Sequence, residues 1–219
     1  MRPLVIVRPE PGAGATAKAA AAMGLQPVVL PLFEVRPVAW KAPDPVGYDG
    51  LLLTSANAMR HGGGELEGLK GLAAYCVGEA TAACAREAGF SIGATGRGGV
   101  QELLCALPPG LKLLHLGGVD RKHVSDAAQS IDALPVYEAA EVTGDLDGIA
   151  GSVVALYSPR AASAFARRYA CPRHGVAIAA ISAETAGAAG DGWEAVEVAA
   201  EPTDAALLAI AARLCNTGR

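Results

Sequence analysis

Short apolar runs alternate along the chain with Ala-rich stretches of helical length, and glycine, proline or a polar pair separates them. The pattern predicts a strand over residues 3–7, ended by Arg8-Pro9-Glu10-Pro11-Gly12, then a helix over 14–23 stopped at Gly24, then a strand over 26–30. A strand, helix and strand in that order form a β-α-β unit and imply a parallel sheet. Pro31, Pro37, Pro43 and Pro45 mark an extended connector, after which 51–53 resumes as a buried strand. Thr54-Ser55-Ala56-Asn57 sits where that strand hands over to a helix. Further strands are predicted at 73–77, 111–116, 134–137, 152–156, 176–181 and 195–199. Helices are predicted at 79–88, 101–107, 124–129, 161–169, 184–189 and 203–214. Gly117-Gly118 reads as a turn, and 138–143 as an extended stretch that crosses back.

The two halves of the chain repeat each other. Leu51-Leu52-Leu53-Thr54-Ser55 matches Val154-Ala155-Leu156-Tyr157-Ser158, and Val77-Gly78-Glu79-Ala80-Thr81-Ala82 matches Ile181-Ser182-Ala183-Glu184-Thr185-Ala186. Leu103-Leu104 and Leu207-Leu208 then fall in step at the same offset of 104 as the second pair. A duplicated α/β unit is the economical explanation. The N-terminal β-α-β has its counterpart at 111–137, near the end of the other unit, so the arrangement is circular. The expected fold class is therefore α/β with two similar lobes, each a parallel sheet flanked by helices. One lobe takes both chain ends, 1–35 and 143–219. The other, 40–138, is inserted through linkers near 35–42 and 139–143, leaving a hinge and a cleft.

Composition narrows the classes. The chain has 219 residues, 52% hydrophobic and 18% charged, with 47 alanines. Such a chain buries enough apolar surface to order itself, so disorder is excluded. Aromatics at 5% and a net charge of −4, with no Lys or Arg block, argue against nucleic acid as a partner. The first apolar run is too short for a signal-peptide core, and no run approaches the length of a membrane span, so no membrane association is expected. Cys76, Cys84, Cys105, Cys171 and Cys215 include no C-x-x-C pair and read as buried, reduced thiols of a cytoplasmic protein.

Candidate chemistry is sparse. His61, His115, His123 and His174 have no metal spacing and no paired nucleophile, and a surface or packing role suits each better. Gly12-Ala13-Gly14 lacks the third glycine of a dinucleotide fingerprint. The suggestive residues are hydroxyls at strand-to-helix junctions: Thr54, Ser55, Thr81, Ser158 and Thr185. Any one of them alone is best read as a helix N-cap. Five at matching places in two units point to an anion-binding site along the carboxyl edges of the sheets, where helix N-termini present N–H groups.

Taken in order, several segments carry a family likeness. They are Arg8-Pro9, Tyr48-Asp49 before Thr54-Ser55-Ala56-Asn57-Ala58, Val77-Gly78-Glu79-Ala80-Thr81-Ala82 and Val136-Tyr137. Ser158-Pro159, Glu184-Thr185-Ala186 and Glu201-Pro202-Thr203 complete the set. With them the chain resembles uroporphyrinogen-III synthase over nearly its full length, while Arg60-His61-Gly62-Gly63-Gly64 departs from the family's pattern. The resemblance implies two α/β lobes joined by a two-stranded linker. It also implies a lyase reaction that cyclises hydroxymethylbilane to uroporphyrinogen III with loss of water and inversion of ring D through a spiro intermediate. It implies a linear tetrapyrrole substrate, no cofactor and no metal. It makes Tyr137 the catalytic candidate and Thr54, Ser55, Ala56, Thr81, Ser158, Thr185, Arg8 and Arg160 the substrate-binding candidates. A monomer is expected, with transient contact to the preceding enzyme of the pathway. The rival reading is a non-catalytic two-lobed sensor for a small anion.

Overall fold

The computed structural model describes residues 1–97, 99–121, 124 and 127–217. It divides into two units, one formed by residues 1–34 and 140–219 and the other by 35–139.

The first unit is built on a five-stranded parallel sheet. Its strands are β1 (Leu4–Ile6), β2 (Pro27–Val29), β9 (Val153–Leu156), β10 (Ala177–Ala180) and β11 (Ala195–Val198), in the order β11-β10-β9-β1-β2. Alternate residues of a strand face opposite sides. Leu4, Ile6, Val153, Ala155, Ala177 and Ala179 turn to one side and pack with α1 (Gly12–Ala22) and α7 (Asp204–Asn216). The other side carries α5 (Pro159–Arg168) and α6 (Ala183–Ala189), which pack on each other. There Phe165 stacks on both Tyr169 and Trp193 at ring separations of 5.6 and 5.2 Å. Alanine at so many helical positions lets these helices lie close to the sheet, and it is also the best helix former.

The second unit holds a six-stranded sheet. It contains β3 (Phe33–Pro37), β4 (Gly50–Leu53), β5 (Ala74–Cys76), β6 (Ile92–Thr95), β7 (Lys112–Gly118) and β8 (Ser130–Glu141), in the order β3-β8-β7-β4-β5-β6. Leu51, Leu53, Ala74, Leu114, Leu116 and Val136 pack with α2 (Asn57–His61) and α3 (Glu79–Glu87) on one face. Leu52 and Leu113 pack with Leu103 and Leu104 of α4 (Val100–Ala106) on the other. The chain passes between the two units inside β3 and β8, which pair with each other.

Several expectations need correction. Gly117 and Gly118 do not turn the chain; they extend β7, because β8 runs parallel beside them and supplies ladder partners at Pro135 and Tyr137. The stretch 134–137 and the first part of 138–143 form one long strand with residues before them, which ends at Glu141. The helix expected over 124–129 is not formed by Val124 or by Ala127–Gln129, and the remaining two residues, Ser125 and Asp126, lie outside the described residues. The proline connector contains β3, whose proline stands at the strand's last position. Edge strand β6 has no clear alternation, with Gly93 and Ala94 at its centre, and the sequence pattern missed it. Cys105 is exposed, while Cys76 and Cys215 are buried; burial lifts the Cys76 thiol to about 11.

The helix starts are set by local chemistry. Thr203 caps α7, its hydroxyl accepting from the Ala206 N–H at 3.2 Å. Replacing Thr203 by Ala should lower the unfolding free energy by about 1 kcal/mol. The check is a urea midpoint shift at constant m-value.

Candidate functional site

In the second unit, the carboxyl ends of β4, β7 and β8 open onto a cavity of about 360 Å³. Thr54, Ser55, His115, Gly118, Arg121 and Tyr137 all line it. The register explains the grouping. Leu52 of β4 lies opposite His115 of β7, and Thr54, two residues beyond Leu52, turns to the same face as the imidazole. Thr54 Oγ1 and His115 Nε2 are 2.9 Å apart. Burial, reinforced by the Arg121 charge, pushes His115 down to about 4, so the ring is neutral near pH 7.

Tyr137 is half-buried and its ring lies against β7. A methyl built on Gly118 would stand 2.9 Å from the ring and 3.4 Å from the hydroxyl, so this approach requires glycine. The His61 ring sits 6.4 Å from the Tyr137 ring, centre to centre. Arg121 donates to the Gly118 carbonyl at 3.1 Å.

The other candidates fall as follows. Ser55 Oγ accepts from the Asn57 N–H at 3.2 Å, a local turn; it is not the N-cap of α2. Ala56 holds that cap position and is buried. Thr81 and Thr185 are not capping residues either. The caps of α3 and α6 are Gly78 and Ser182, both extended, and the two threonines occupy the third helical positions, facing inward. Thr185 is fully buried, and its hydroxyl lies 3.0 Å from that of Ser182. Ser158 is a true cap, accepting from the Ala161 N–H at 3.2 Å.

Arg8 is not a free cation. Its guanidinium lies 4.2 Å over the Tyr157 ring, 3.3 Å from the Thr16 hydroxyl and 3.6 Å from Asp204. Tyr157 donates to Asp204, and burial followed by that bond raises the phenol well above its ordinary range. Arg160 lies 4.5 Å over the Phe33 ring. The structure thus gathers Thr54, Ser55 and Tyr137 in one cavity. Thr81 and Ala56 stand elsewhere in the same unit, and Ser158, Thr185, Arg8 and Arg160 belong to the first.

The sequence pattern gives His115 a surface or packing role; the structure buries it and adds a contact with Thr54 at the cavity that the pattern does not show. A signal for it exists: a titratable side chain within an apolar strand, near the sheet edge where ligands bind. Among the described residues no group of three or more His, Cys, Asp or Glu is placed to hold a metal, and no helix is long and apolar enough to cross a membrane.

Comparison with known proteins agrees with this architecture. The crystal structure of uroporphyrinogen-III synthetase from Helicobacter pylori 26695 superposes with a TM-score of 0.69 at 20% identity, over 98% of this chain and 100% of that one. A mutant uroporphyrinogen III synthase from the extremely thermophilic bacterium Thermus thermophilus gives 0.52 at 17% identity, over 97% and 98%. At such identities these likenesses establish the fold. Comparison with curated proteins gave no match. A family model described as uroporphyrinogen-III synthase HemD matches residues 14–209, most of the sequence. On that match the chain belongs to the uroporphyrinogen-III synthase family, the cyclising lyases of tetrapyrrole synthesis.

Proposed function

We propose that the cavity of the second unit is where the leaving group of the linear tetrapyrrole departs and ring D is turned, with Tyr137 as the assisting acid. The observation that supports this is the placement of Tyr137. Its phenol borders a cavity at the carboxyl edge of a parallel sheet, beside a threonine and an arginine. In the reaction the C–O bond of the hydroxymethyl group breaks, and the hydroxyl leaves as water with a proton from the phenol. The substituted α-carbon of ring D then attacks the electrophilic methylene, which gives a spiro intermediate. Its older bond to the methylene shared with the neighbouring ring breaks, and the electrophilic methylene so released is taken by the unsubstituted α-carbon of ring D. The proton lost from that second α-carbon restores the aromatic pyrrole and returns the phenol to its starting state.

The leaving group departs readily because the pyrrole is electron-rich, so the acid has a modest task. The harder task is to prevent direct closure without inversion. Holding the chain and excluding the competing geometry are the protein's main contributions. The two-stranded linker that the sequence suggests is read here onto the paired strands β3 and β8.

Substrate carboxylates are taken by N–H groups and hydroxyls at helix starts in each unit. Gly78 at the start of α3 is an extended cap with no side chain to act as acceptor, so the first N–H groups of that helix find no partner within it. At α5 Pro159 has no N–H and the Ala161 N–H is taken by the Ser158 hydroxyl, so Ser158 itself is the group offered there. With a net charge of −4, long-range attraction for a polycarboxylate is absent. Affinity for uroporphyrinogen III should therefore fall only mildly across a salt series, since exposed charge pairs are what salt screens best. Ser158→Ala should weaken it about fivefold, the scale of one hydrogen bond. A steep salt dependence, with Ser158→Ala binding normally and Arg160→Ala failing to bind, would show that side-chain cations hold the substrate instead.

A further inference from the structure

We propose that a neutral His115, unprotonated at Nε2, fixes the Thr54 hydroxyl as a hydrogen-bond acceptor for a pyrrole N–H of the linear tetrapyrrole. His115 is then a positioning residue acting through Thr54. The inference rests on the functional reading above and adds to it the polarity of one contact.

The pair is built by sheet register and not by a loop, because β4 and β7 bring Thr54 and His115 to the same face and edge of the sheet. The two side chains differ in access. His115 is 2% exposed, so a ligand cannot reach it freely, whereas Thr54 is only half-buried and lines the cavity. Whatever the imidazole does for a ligand passes through the threonine oxygen.

The direction of the bond follows from the charges around the ring. A methyl built on Gly117 would stand 3.2 Å from His115 Nε2 and 3.2 Å from Arg121 Cδ, so the two side chains flank the same glycine, and the Arg121 charge acts on the imidazole. Facing the ring are the Arg121 cation and Thr54, with Tyr137 and Asp120 on the same cavity and apolar Leu103 and Leu104 of α4 beneath that face of the sheet. A neutral imidazole next to a cation lowers its energy by turning its lone-pair nitrogen toward the charge. Nε2 then accepts, Thr54 donates its single hydrogen, and the remaining oxygen lone pair faces the cavity.

The chemistry of the substrate completes the argument. A linear tetrapyrrole carries carboxylates, which accept, and pyrrole N–H groups, which donate. Arg121 and backbone N–H groups serve only the carboxylates. An N–H needs an uncharged acceptor that does not repel the carboxylates, and Thr54 Oγ1 held by His115 is one. Asp120 is engaged within the fold.

The test combines spectroscopy and kinetics on the whole protein. Nitrogen-15 spectra of histidine-labelled protein at neutral pH should show His115 with Nε2 unprotonated. Thr54→Val and His115→Leu should each lower kcat/KM about tenfold, chiefly through KM, and the double variant should lose no more than either alone. Thr54→Ser keeps the hydroxyl and His115→Gln keeps an acceptor, so both should stay within about threefold of wild type. A protonated Nε2, a wild-type KM in Thr54→Val, or two losses that multiply would overturn the proposal. Should His115→Leu not fold, the spectrum and the Thr54 variants still decide. Wild-type protein that forms only the type I isomer would bring down the functional reading and the proposal together. Type III product from wild type, with an unaffected Thr54→Val, would bring down the proposal alone.

Discussion

Tyr137→Phe should lower the turnover rate by roughly 10²-fold, the low end of the worth of a positioned general acid, because the hydroxymethyl group already leaves readily from an electron-rich pyrrole. The structure makes this a clean substitution. The ring is held by its approach to Gly118 and by the neighbouring His61 ring, contacts that phenylalanine keeps. The Tyr137 carbonyl accepts from the Val119 N–H at 2.9 Å, a backbone bond that the change leaves alone. The unfolding midpoint should therefore move little while single-turnover formation of product slows. The residual product should remain largely the type III isomer, because the pocket still holds the chain in the geometry that favours inversion. A loss under about threefold would reduce Tyr137 to a packing residue of β8.

The second large effect is on stability. His115 sits near 6.5 when unfolded and is pushed down to about 4 in the fold, chiefly by burial. Between these values the unfolded chain binds a proton that the folded one refuses, so stability must rise with pH across that window. The contribution is fully present above about 6.5 and is lost as the pH falls to about 4. At 1.36 kcal/mol for each pKa unit the loss is about 3 kcal/mol. Carboxylates also titrate in acid, so the measurement is a difference. Urea unfolding of wild type and His115→Gln at pH 7.5 and pH 4 should show wild type losing about 3 kcal/mol more than the variant. Equal losses would mean that the ring is charged and solvated in the folded protein.

Much of the fold was legible in the sequence because its period is set locally. The runs at 51–53, 153–156 and 177–180 are buried on both faces, as strands inside a helix-covered parallel sheet must be, and such strands read as unbroken apolar segments. The duplication was visible for a related reason: Thr81 and Thr185 occupy the same helical position after equivalent strands. What escaped depends on partners distant in sequence. Gly117-Gly118 has the composition of a turn, and only the parallel neighbour β8 makes it strand. Thr185 looked like a cap because it is a hydroxyl near a helix start, but an extended Ser182 three residues earlier takes that role. The pairing of Thr54 with His115 spans 61 residues, and no local pattern announces it. Arg8 looked available for a ligand until Asp204, from the far end of the chain, was seen beside it.

The central claim is that this chain governs which isomer forms. It is tested most directly by supplying freshly generated hydroxymethylbilane to the wild-type protein and separating the uroporphyrinogen products by isomer. The account predicts type III as the dominant product, formed faster than spontaneous closure. Type I alone, at the spontaneous rate, would contradict it.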